Sequence, residues 1–442
     1  MIDIKNKDNC CGCSACASIC PKQCIVMKPD SEGFLYPQAD KGICIDCGLC
    51  EKVCNELHPY DKRLPIKVLA AVNKDETIRQ KSSSGGVFYL LAEKTIREGG
   101  VVFGARFDNN WQVVIDYAED LQGIEAFMGS KYVQARIDNA YKDVKYFLGL
   151  NRKVLFSGTP CQVAGLHKFL RKSYSNLVTV DFICHGTPSP RVWGEYLNEV
   201  IKVGIRLNKI DFRNKTNGWK NFSFNIMYDQ EGKEMSLLSP YSQNLYMKAF
   251  LTDVILRPSC YNCKTKECSS QSDITIADFW GINTIFPEMD DDKGTGLVLI
   301  NSNKGKTLID FSQLIIAETT YDKIKPLNPA CYRSPKVNPR RKDFFARLDN
   351  ECVLDLMEKC TKVSFLSRML MPVWCCLGSI KRMWWGGQTS IKKCNQPIVV
   401  YPLDYTIVSI SFRNKSLGWK DYMIEIKIVK NENSNNNTTS SI

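Results

Sequence analysis

At 442 residues, with 44% hydrophobic and 24% charged residues, the chain is expected to fold into two or more globular domains. Much of its net charge of +12 lies in residues 361–442, where eleven Lys and Arg face four Asp and Glu, a surplus that suits nucleic acid, an anionic membrane surface or an acidic protein equally. The 21 cysteines, with no apolar signal segment in residues 1–9, argue against a secreted disulfide framework and predict a cytoplasmic protein with metal-binding thiols.

The first cysteines in the chain form two runs of identical spacing. Each run has the pattern C-x2-C-x2-C-x3-C, which is typical of bacterial ferredoxins, where three close cysteines bind one 4Fe-4S cluster and the fourth binds the other. We therefore predict two clusters, one held by Cys10, Cys13, Cys16 and Cys54, and the other by Cys44, Cys47, Cys50 and Cys20.

Zinc is the alternative for these cysteines, because CxxC pairs also form zinc sites. Asn55 replaces the proline that often follows such a run, and Cys11 and Cys24 fall outside the spacing and are interpreted as bystanders. We predict an α+β ferredoxin-like domain over residues 1–60, held together by its clusters, and a linker over residues 61–67.

The next segment alternates short apolar runs with helical patterns, which predicts an α/β domain with a mainly parallel or mixed sheet over residues 68–350. The predicted strands are residues 68–72, 101–107, 153–158, 177–184 and 297–301, and the predicted helices are residues 87–100 and 167–175.

Two of these strands are followed by cysteines. Cys161 and Cys184 would emerge at the carboxyl edge of a parallel sheet, where open α/β folds bind ligands. With Cys260 and Cys263 they would complete a third cluster. The alternatives are buried structural thiols, a zinc site that uses the adjacent histidine, and a lone nucleophile at Cys161; Cys268 is a fifth candidate ligand.

The segment SSSGG at residues 82–86 precedes a helix without charges in its first turns. Small residues at a helix N-terminus let backbone N–H groups approach an anion, such as a flavin phosphate. A serine-rich helix cap is the commoner alternative.

Several motifs together resemble the coenzyme F420 hydrogenase/dehydrogenase beta-subunit family. They occur in matching order within residues 8–310 and comprise SSSGGVFYLL, GSKYVQ, VLFSGTPCQVAGL, DFICHG, LRPSCYNCK and SDITIADFWG. More closely, the chain resembles bacterial members with an N-terminal double-cluster ferredoxin domain that occur among polysaccharide-synthesis proteins. The resemblance implies a flavin, usually FAD, and a cluster on Cys161, Cys184, Cys260 and Cys263. Our candidate flavin contacts are Ser84, Gly85, Gly86, Lys131 and Asp278.

Three other features have structural and functional interpretations. The motif FRNKTNGWK (212–220) recurs as FRNKSLGWK (412–420). It is interpreted either as a repeated turn before a strand or as an Arg and Lys pair that binds an anionic substrate. DDDKGTG (290–296) is either a solvated loop or a carboxylate metal site, and His185 either supports a ligand or acts as an acid or base.

The remaining residues are predicted to form a basic extension (351–430) and a disordered tail (431–442). Within the extension, residues 363–385 have the aromatic and basic composition of a membrane-surface segment, which would place the protein peripherally at the inner membrane face. The alternative, which we favour, is a helix docked on the protein's own core.

We expect an iron–sulfur flavoprotein oxidoreductase that passes electrons from a ferredoxin-type partner, through the clusters and the flavin, to an unidentified small molecule. The alternatives are an electron-transfer subunit without its own substrate chemistry and an iron–sulfur protein that binds nucleic acid. The last is disfavoured because no base-reading motif is present.

Overall fold

The computed structural model describes residues 1–201, 204–362, 405–414 and 422–430. Residues 1–361 form one compact unit and residues 362–442 another. The strands are β1 (Ile25–Pro29), β2 (Leu35–Ala39), β3 (Lys67–Asn73), β4 (Val101–Phe107), β5 (Val113–Ala118), β6 (Val154–Ser157), β7 (Leu177–Phe182), β8 (Arg206–Asn214), β9 (Ser223–Gln230), β10 (Lys233–Pro240), β11 (Ile274–Asp278), β12 (Gly296–Ile300), β13 (Leu314–Thr319), β14 (Tyr405–Asn414) and β15 (Tyr422–Lys430). The α-helices are α1 (Ala15–Ile19), α2 (Leu49–Lys52), α3 (Glu76–Lys81), α4 (Val87–Arg97), α5 (Leu121–Glu125), α6 (Ala140–Gly149), α7 (Pro160–Leu170), α8 (Pro190–Val200), α9 (Leu245–Leu251), α10 (Ile282–Ile285), α11 (Asn303–Leu308), α12 (Tyr321–Ile324), α13 (Arg341–Arg347) and α14 (Val353–Thr361). Short 3-10 helices lie at Lys7–Asn9, Pro258–Asn262, Pro287–Met289, Phe311–Gln313 and Pro329–Cys331.

An eight-stranded mixed sheet organises the first unit. Its strand order is β13-β3-β12-β11-β7-β6-β4-β5. The four neighbouring strands β11, β7, β6 and β4 run parallel, and antiparallel strands flank them on both sides. The α/β prediction with a mainly parallel or mixed sheet is therefore confirmed, in its mixed form.

The central strands are continuous apolar runs because both faces of the sheet are covered. Along β6, Val154 and Phe156 pack into one hydrophobic core, whereas Leu155 between them packs into the other. Val102 of β4 joins Leu155, and its neighbours Val101 and Phe103 join the opposite core. This alternation follows from the two-residue period of a strand, and it fixes which residues reach the sheet edge.

The two predicted helices of this domain are confirmed in one case and wrong in the other. Helix α4 begins at Val87, directly after the SSSGG segment, as predicted. The helix predicted over residues 167–175 is α7, which begins at Pro160 and ends at Leu170. It begins earlier because Thr159 and Gln162 form a capping box, and it ends where Arg171 adopts a left-handed conformation with φ of 59°.

The N-terminal residues contain the hairpin β1–β2 and the short helices α1 and α2. A small hydrophobic core of their own surrounds Ile2 and Ile25, but Ala15 and Val53 pack into the core of the large sheet. Arg63, in the predicted linker, donates its backbone N–H to the carbonyl of Glu267. The boundaries at residues 60 and 67 stay predictions.

Two antiparallel hairpins contain the FRNK motifs. Strands β8, β9 and β10 form a three-stranded sheet, and β14 pairs with β15 in the second compact unit. The predicted membrane-surface segment 363–385, the tail 431–442 and most of the second FRNK turn lie outside the described residues. Among the helices that the structure describes, none is long and apolar enough to cross a membrane.

Candidate metal and cofactor site

The two N-terminal cysteine runs share one backbone geometry. In the first run Gly12 and Ser14 adopt left-handed conformations, with φ of 71° and 62°. In the second run the equivalent residues Asp46 and Gly48 have φ of 49° and 71°. Left-handed residues on either side of the second cysteine turn each loop back on itself, so that its three close thiols face a common space.

The first predicted ligand set, Cys10, Cys13, Cys16 and Cys54, is brought together. Burial raises the pKa of Cys16 to about 12, and the charges of Cys10 and Cys54 act in the same direction. Burial also raises the pKa of Cys54, to which Cys10 contributes. Buried thiols of this kind lose their protons when they bind metal.

The second predicted set surrounds a small cavity of about 20 Å³. It is lined by Cys20, Cys44, Cys47 and Cys50, together with Cys24, which is predicted to be a bystander. Two backbone N–H groups point at these sulfur atoms: that of Ile2 donates to Cys50 Sγ at 3.3 Å, and that of Asp46 donates to Cys44 Sγ at 3.4 Å. Such bonds tune the reduction potential of a cluster.

Asn55 provides a test of whether this region fits a bound group. Its side chain is 1% exposed, and neither its amide nitrogen nor its amide oxygen has a hydrogen-bond partner among the described residues. A buried amide without partners costs free energy, and the residue directly follows the predicted ligand Cys54. The sulfur atoms of a cluster accept hydrogen bonds, so a cluster bound at Cys54 would give the amide nitrogen of Asn55 a partner, whereas the amide oxygen would still need a donor.

No three Cys, His, Asp or Glu side chains in the described parts of the chain are gathered as they would be around a single metal ion. A 4Fe-4S cluster is larger, and its four thiolates surround it rather than meet at one point. The donor chemistry of each predicted set, four cysteine thiols, is that of such a cluster.

The third predicted set begins at the carboxyl ends of two adjacent parallel strands. Strand β6 pairs with β7 so that Ser157 lies opposite Val180. Cys161 is the second residue of helix α7, which follows β6, and Cys184 lies two residues beyond the end of β7, so both cysteines follow the carboxyl edge of the sheet. The prediction that these two strands are parallel is confirmed.

Cys260 and Cys263 approach the same place from the 3-10 helix at Pro258–Asn262. Burial raises the pKa of Cys184 well above its usual range, and the ammonium of Lys266 opposes this rise. The thiols of Cys260, Cys161 and Cys263 raise the pKa further, so all four side chains lie within electrostatic reach of one another. Thr187 donates its N–H to Cys260 Sγ at 3.4 Å.

The first and third cysteine sets are neighbours. Gly165, on helix α7, is so close to Cys13 that an added Cβ would lie 3.0 Å from Cys13 Sγ. Cys11 lies between the sets: a hydrogen bond with Cys13 is the main reason why the pKa of Cys11 is raised, and a hydrogen bond with Cys161 opposes the rise. By spacing alone Cys11 is a bystander, whereas the structure places it where the two sets meet.

A cavity of about 400 Å³ opens beside the third set, within the usual range for small-molecule sites. Its wall includes Cys184. All five candidate flavin contacts line it, namely Ser84, Gly85, Gly86, Lys131 and Asp278. Aromatic side chains suited to a flat ring complete the wall: Phe88, Phe127, Tyr132, Phe182 and Phe250.

The SSSGG loop passes close to the sheet. A Cβ on Gly85 would lie 2.3 Å from the carbonyl oxygen of Ala71, so only glycine fits there. The serine-cap alternative is wrong, because Gly86 is the N-cap of α4 and no side chain caps this helix. Ser83 Oγ instead contacts Ser130 Oγ at 2.9 Å, which ties the loop to the GSKYVQ segment.

Lys131 lies in the wall with its ammonium turned to the protein. Nζ donates to the carbonyl oxygens of Ala126, Met128 and Gly129 at 2.7, 2.8 and 3.3 Å. Burial lowers the pKa of Lys131 to about 7. With its three donors used by the loop, Lys131 shapes the cavity wall.

Asp278 ends strand β11 at the same sheet edge. Its Oδ1 accepts hydrogen bonds from Arg213 Nη2 at 3.0 Å and from Trp219 Nε1 at 2.9 Å, and both partners belong to the first FRNK motif. Lys215 of that motif donates to the carbonyl oxygens of Arg79, Ser84 and Lys293, each at 2.8 Å. These contacts favour the structural interpretation of the motif.

The aspartates of DDDKGTG are likewise engaged by the protein: Asp291 pairs with Arg79 and Asp290 with Lys220. His185 Nε2 lies 2.5 Å from Asp253 Oδ1 at the cavity wall. Asp253 could not be foreseen as the partner of His185, since no local pattern joins residues so far apart in the chain.

Known proteins resemble parts of this chain. Residues 151–322 match the family model for the C terminus of the coenzyme F420 hydrogenase/dehydrogenase beta subunit. The F(420)H(2) dehydrogenase of Methanosarcina mazei has a subunit, designated F, that is 20% identical over 227 residues, which cover 48% of this chain and 64% of that protein. A solved chain of the F420-reducing [NiFe] hydrogenase complex from Methanosarcina barkeri is 16% identical, with a TM-score of 0.40 over 67% of this chain and 91% of that chain.

Proposed function

We propose that this protein is an iron–sulfur flavoprotein oxidoreductase, a proposal supported by the match of residues 151–322 to the family model for the C terminus of the coenzyme F420 hydrogenase/dehydrogenase beta subunit. Its clusters would exchange electrons with a ferredoxin-type partner, and its flavin would exchange them with an unidentified small molecule. One observation carries the proposal: Cys184 of the third cysteine set forms part of the wall of the cavity that the candidate flavin contacts line.

Twelve cysteines would hold the clusters, in the three sets described above, and the cavity would hold the flavin. When bound, the clusters would supply one-electron transfer and the flavin both one- and two-electron chemistry. The bacterial branch of the family and its association with polysaccharide synthesis stay predictions.

The chain's own residues would hold the site in shape and keep water out. Lys215 fixes the carbonyl of Ser84, which positions the SSSGG loop. Arg213 and Trp219 restrain the carboxylate of Asp278 at the edge of the cavity. The N-terminus of α4, with no acidic residue in its first turn, offers backbone N–H groups to the phosphate of a flavin.

The test is the cofactor content of anaerobically purified full-length protein. We expect about twelve irons, in three clusters of four, and about one flavin for each chain. Elemental analysis measures iron and zinc together, and release by denaturation measures flavin. Zinc in place of iron, or about eight irons without flavin, would contradict the proposal.

A second candidate is an electron-transfer subunit without its own substrate chemistry. The name of the Methanosarcina mazei relative, a dehydrogenase subunit, favours it. The two candidates differ in whether the purified chain, once reduced chemically, passes electrons to a small-molecule acceptor in the absence of other proteins. A flavin that is reduced but reoxidised only by a second protein would support the second candidate.

A further inference from the structure

One arginine of the large sheet unit reaches into the N-terminal cysteine loops. Arg257 precedes the 3-10 helix that carries Cys260, and its side chain is fully buried. Its guanidinium donates to the carbonyl oxygen of Cys10 at 2.7 Å and to that of Leu35 at 3.0 Å. The third acceptor, at 3.0 Å, is Oε1 of Gln134 from the GSKYVQ segment.

All three acceptors of Arg257 are neutral. Among the described residues, no carboxylate forms an ion pair with it, whereas the other deeply buried arginines each have such a partner. These pairs are Arg79 with Asp291, Arg213 with Asp278, and Arg341 with Glu32.

A buried guanidinium needs a compensating anion. Arginine remains charged at any pH that a protein tolerates, and an unpaired charge in a low-dielectric interior strongly destabilises the fold. The faces of Tyr36 and Phe34, at 4.3 and 5.4 Å from the guanidinium carbon, compensate only part of this cost, because a cation–π contact is weaker than an ion pair in such an interior.

The groups whose negative charge acts on Arg257 are the thiols of Cys10, Cys11 and Cys260 and the phenol of Tyr36. Burial raises the pKa of the nearby Glu56 carboxyl, and the charge of Arg257 opposes this rise, although Glu56 does not form an ion pair with it. Of these groups, Cys10 and Cys260 are predicted cluster ligands.

The backbone closes tightly around this cation. A Cβ on Gly12 would lie 2.8 Å from Arg257 Nη1, and Gly12 stands between Cys10 and Cys13 in the first cysteine run. The guanidinium therefore has little room to move toward solvent or toward another acceptor.

We infer that Arg257 is the counter-ion of the clusters held at Cys10 and at Cys260, and that its charge raises their reduction potentials. The inference rests on the proposed function, which supplies the clusters. A fixed positive charge stabilises the more negative, reduced form of a nearby cluster, and charge is one of the properties that set cluster potentials. Arg257 is a positioning residue, because it acts through the clusters and contacts no substrate.

The experiment is a potentiometric titration of the intact, iron-loaded protein, followed by the EPR signals of its clusters. We expect Arg257→Gln to lower the equilibrium constant for one-electron reduction of at least one cluster tenfold or more, which is about 59 mV. Arg257→Lys keeps the positive charge, so the reduction potentials of its clusters should differ from those of the wild type by less than about 59 mV.

Arg341→Gln is the matched control. Arg341 also ties the N-terminal residues to the rest of the unit, through Glu32 and the carbonyl oxygen of Leu256, but its charge is already neutralised. The loss of Arg341 should weaken the contact between the N-terminal residues and the rest of the unit, and it should leave the reduction potentials of the clusters unchanged.

Equal potentials in wild type and Arg257→Gln, with iron content intact, would overturn the inference. So would an Arg257→Lys variant that lost the cluster or its potential, because directional hydrogen bonding would then be the role of the arginine. If Arg257→Gln yields no soluble protein, the reduction potentials of Arg257→Lys are measured at rising pH, because a buried lysine loses its charge where arginine does not. Potentials that fall with rising pH in the lysine variant but not in the wild type would support the inference, and potentials that stay equal in the two proteins would overturn it. A wild type without iron–sulfur signals would refute the proposed function itself, which is a different result from unchanged potentials.

Discussion

Cys161 is the second residue of helix α7, and its thiol meets both Cys11 and the third cysteine set. We expect Cys161→Ser to lose about four irons from the larger domain and to keep about eight in the N-terminal sets. Chemical reduction should still bleach the N-terminal clusters, because their ligands are separate. Iron analysis with visible spectroscopy measures both quantities.

Cys268 provides the control for this substitution, because it is buried and lines a small cavity with Cys184 and Cys263. Cys268→Ser should leave the iron content unchanged. Iron lost from the Cys268 variant would mean that the fourth ligand was wrongly chosen. Unchanged iron with reduced turnover in the Cys161 variant would instead indicate a nucleophile.

His167 gives the protein a component of acid sensitivity. Burial lowers the pKa of His167 to about 4, despite the nearby charge of Asp273, whereas an unfolded histidine has a pKa of about 6.5. Between these values the unfolded chain binds a proton that the folded chain does not, so stability falls as the pH falls through this window.

Replacing His167 should therefore flatten the pH dependence of unfolding. Between pH 6.5 and 5 we expect His167→Gln to lose less stability than the wild type, by about 2 kcal/mol. Denaturant unfolding at the two pH values measures this difference. An equal fall in the free energy of unfolding in the two proteins would show that His167 does not cause this pH dependence.

At the scale of elements, the turn between β8 and β9 is tied to helix α3 and to two loops beside the cavity. Lys215 Nζ donates to the carbonyl oxygens of Arg79, Ser84 and Lys293, and burial lowers the pKa of Lys215 to about 8. Lys215→Met removes this donor from all three oxygens, of which that of Arg79 still accepts the backbone N–H of Ser82. We expect it to destabilise the protein by about 1–3 kcal/mol and to weaken flavin retention.

Lys220→Met is the control within the same turn. Lys220 forms an ion pair with Asp290 and is itself half-exposed, so its loss should destabilise the protein much less than the loss of Lys215. Thermal unfolding and the flavin retained after gel filtration compare the two variants. If the two variants lose stability and flavin to the same extent, the positive charge of the turn matters rather than the buried contacts of Lys215.

Elements with a strong local pattern were predictable, and those fixed by capping were not. Strand β4 has its predicted bounds, residues 101–107, because every residue of its apolar run faces one of the two cores or the sheet edge. The start of α7 could not be foreseen because the capping box of Thr159 and Gln162 depends on side-chain geometry rather than on periodicity. The same holds for the candidate site. The cysteine spacing predicts the ligands, but the contact of Arg257 with Cys10 could not be predicted, because it joins residues 247 positions apart.

At the scale of the whole molecule, the N-terminal residues contain all the predicted ligands of two clusters and also contact the rest of the first unit. A fragment of residues 1–60 should retain about eight irons and no flavin, because both cysteine runs, the hairpin and both short helices are present. It will be less soluble than the intact protein, because Phe34, which is fully buried there, loses its contact with Phe345.

Iron analysis of the fragment tests this division, and Cys20→Ser within the fragment is the companion variant. Because Cys20 lines the cavity of the second run rather than that of its own run, the variant should lose about four irons. Fewer than about eight irons in the unsubstituted fragment would show that the N-terminal residues need the larger domain in order to assemble.

The short distance between Cys20 Sγ and Cys24 Sγ, 3.3 Å, has a consequence for damage by air. Once iron has left, dioxygen can take two electrons and two protons from this thiol pair and leave a disulfide, whose sulfur atoms lie about 2.05 Å apart. In this disulfide Cys24, which is predicted not to bind a cluster, would keep the predicted ligand Cys20 from binding iron again. Apoprotein exposed to air should regain its second cluster only after treatment with a thiol reductant, whereas Cys24→Ser should regain it without one. Peptide mass analysis identifies the disulfide.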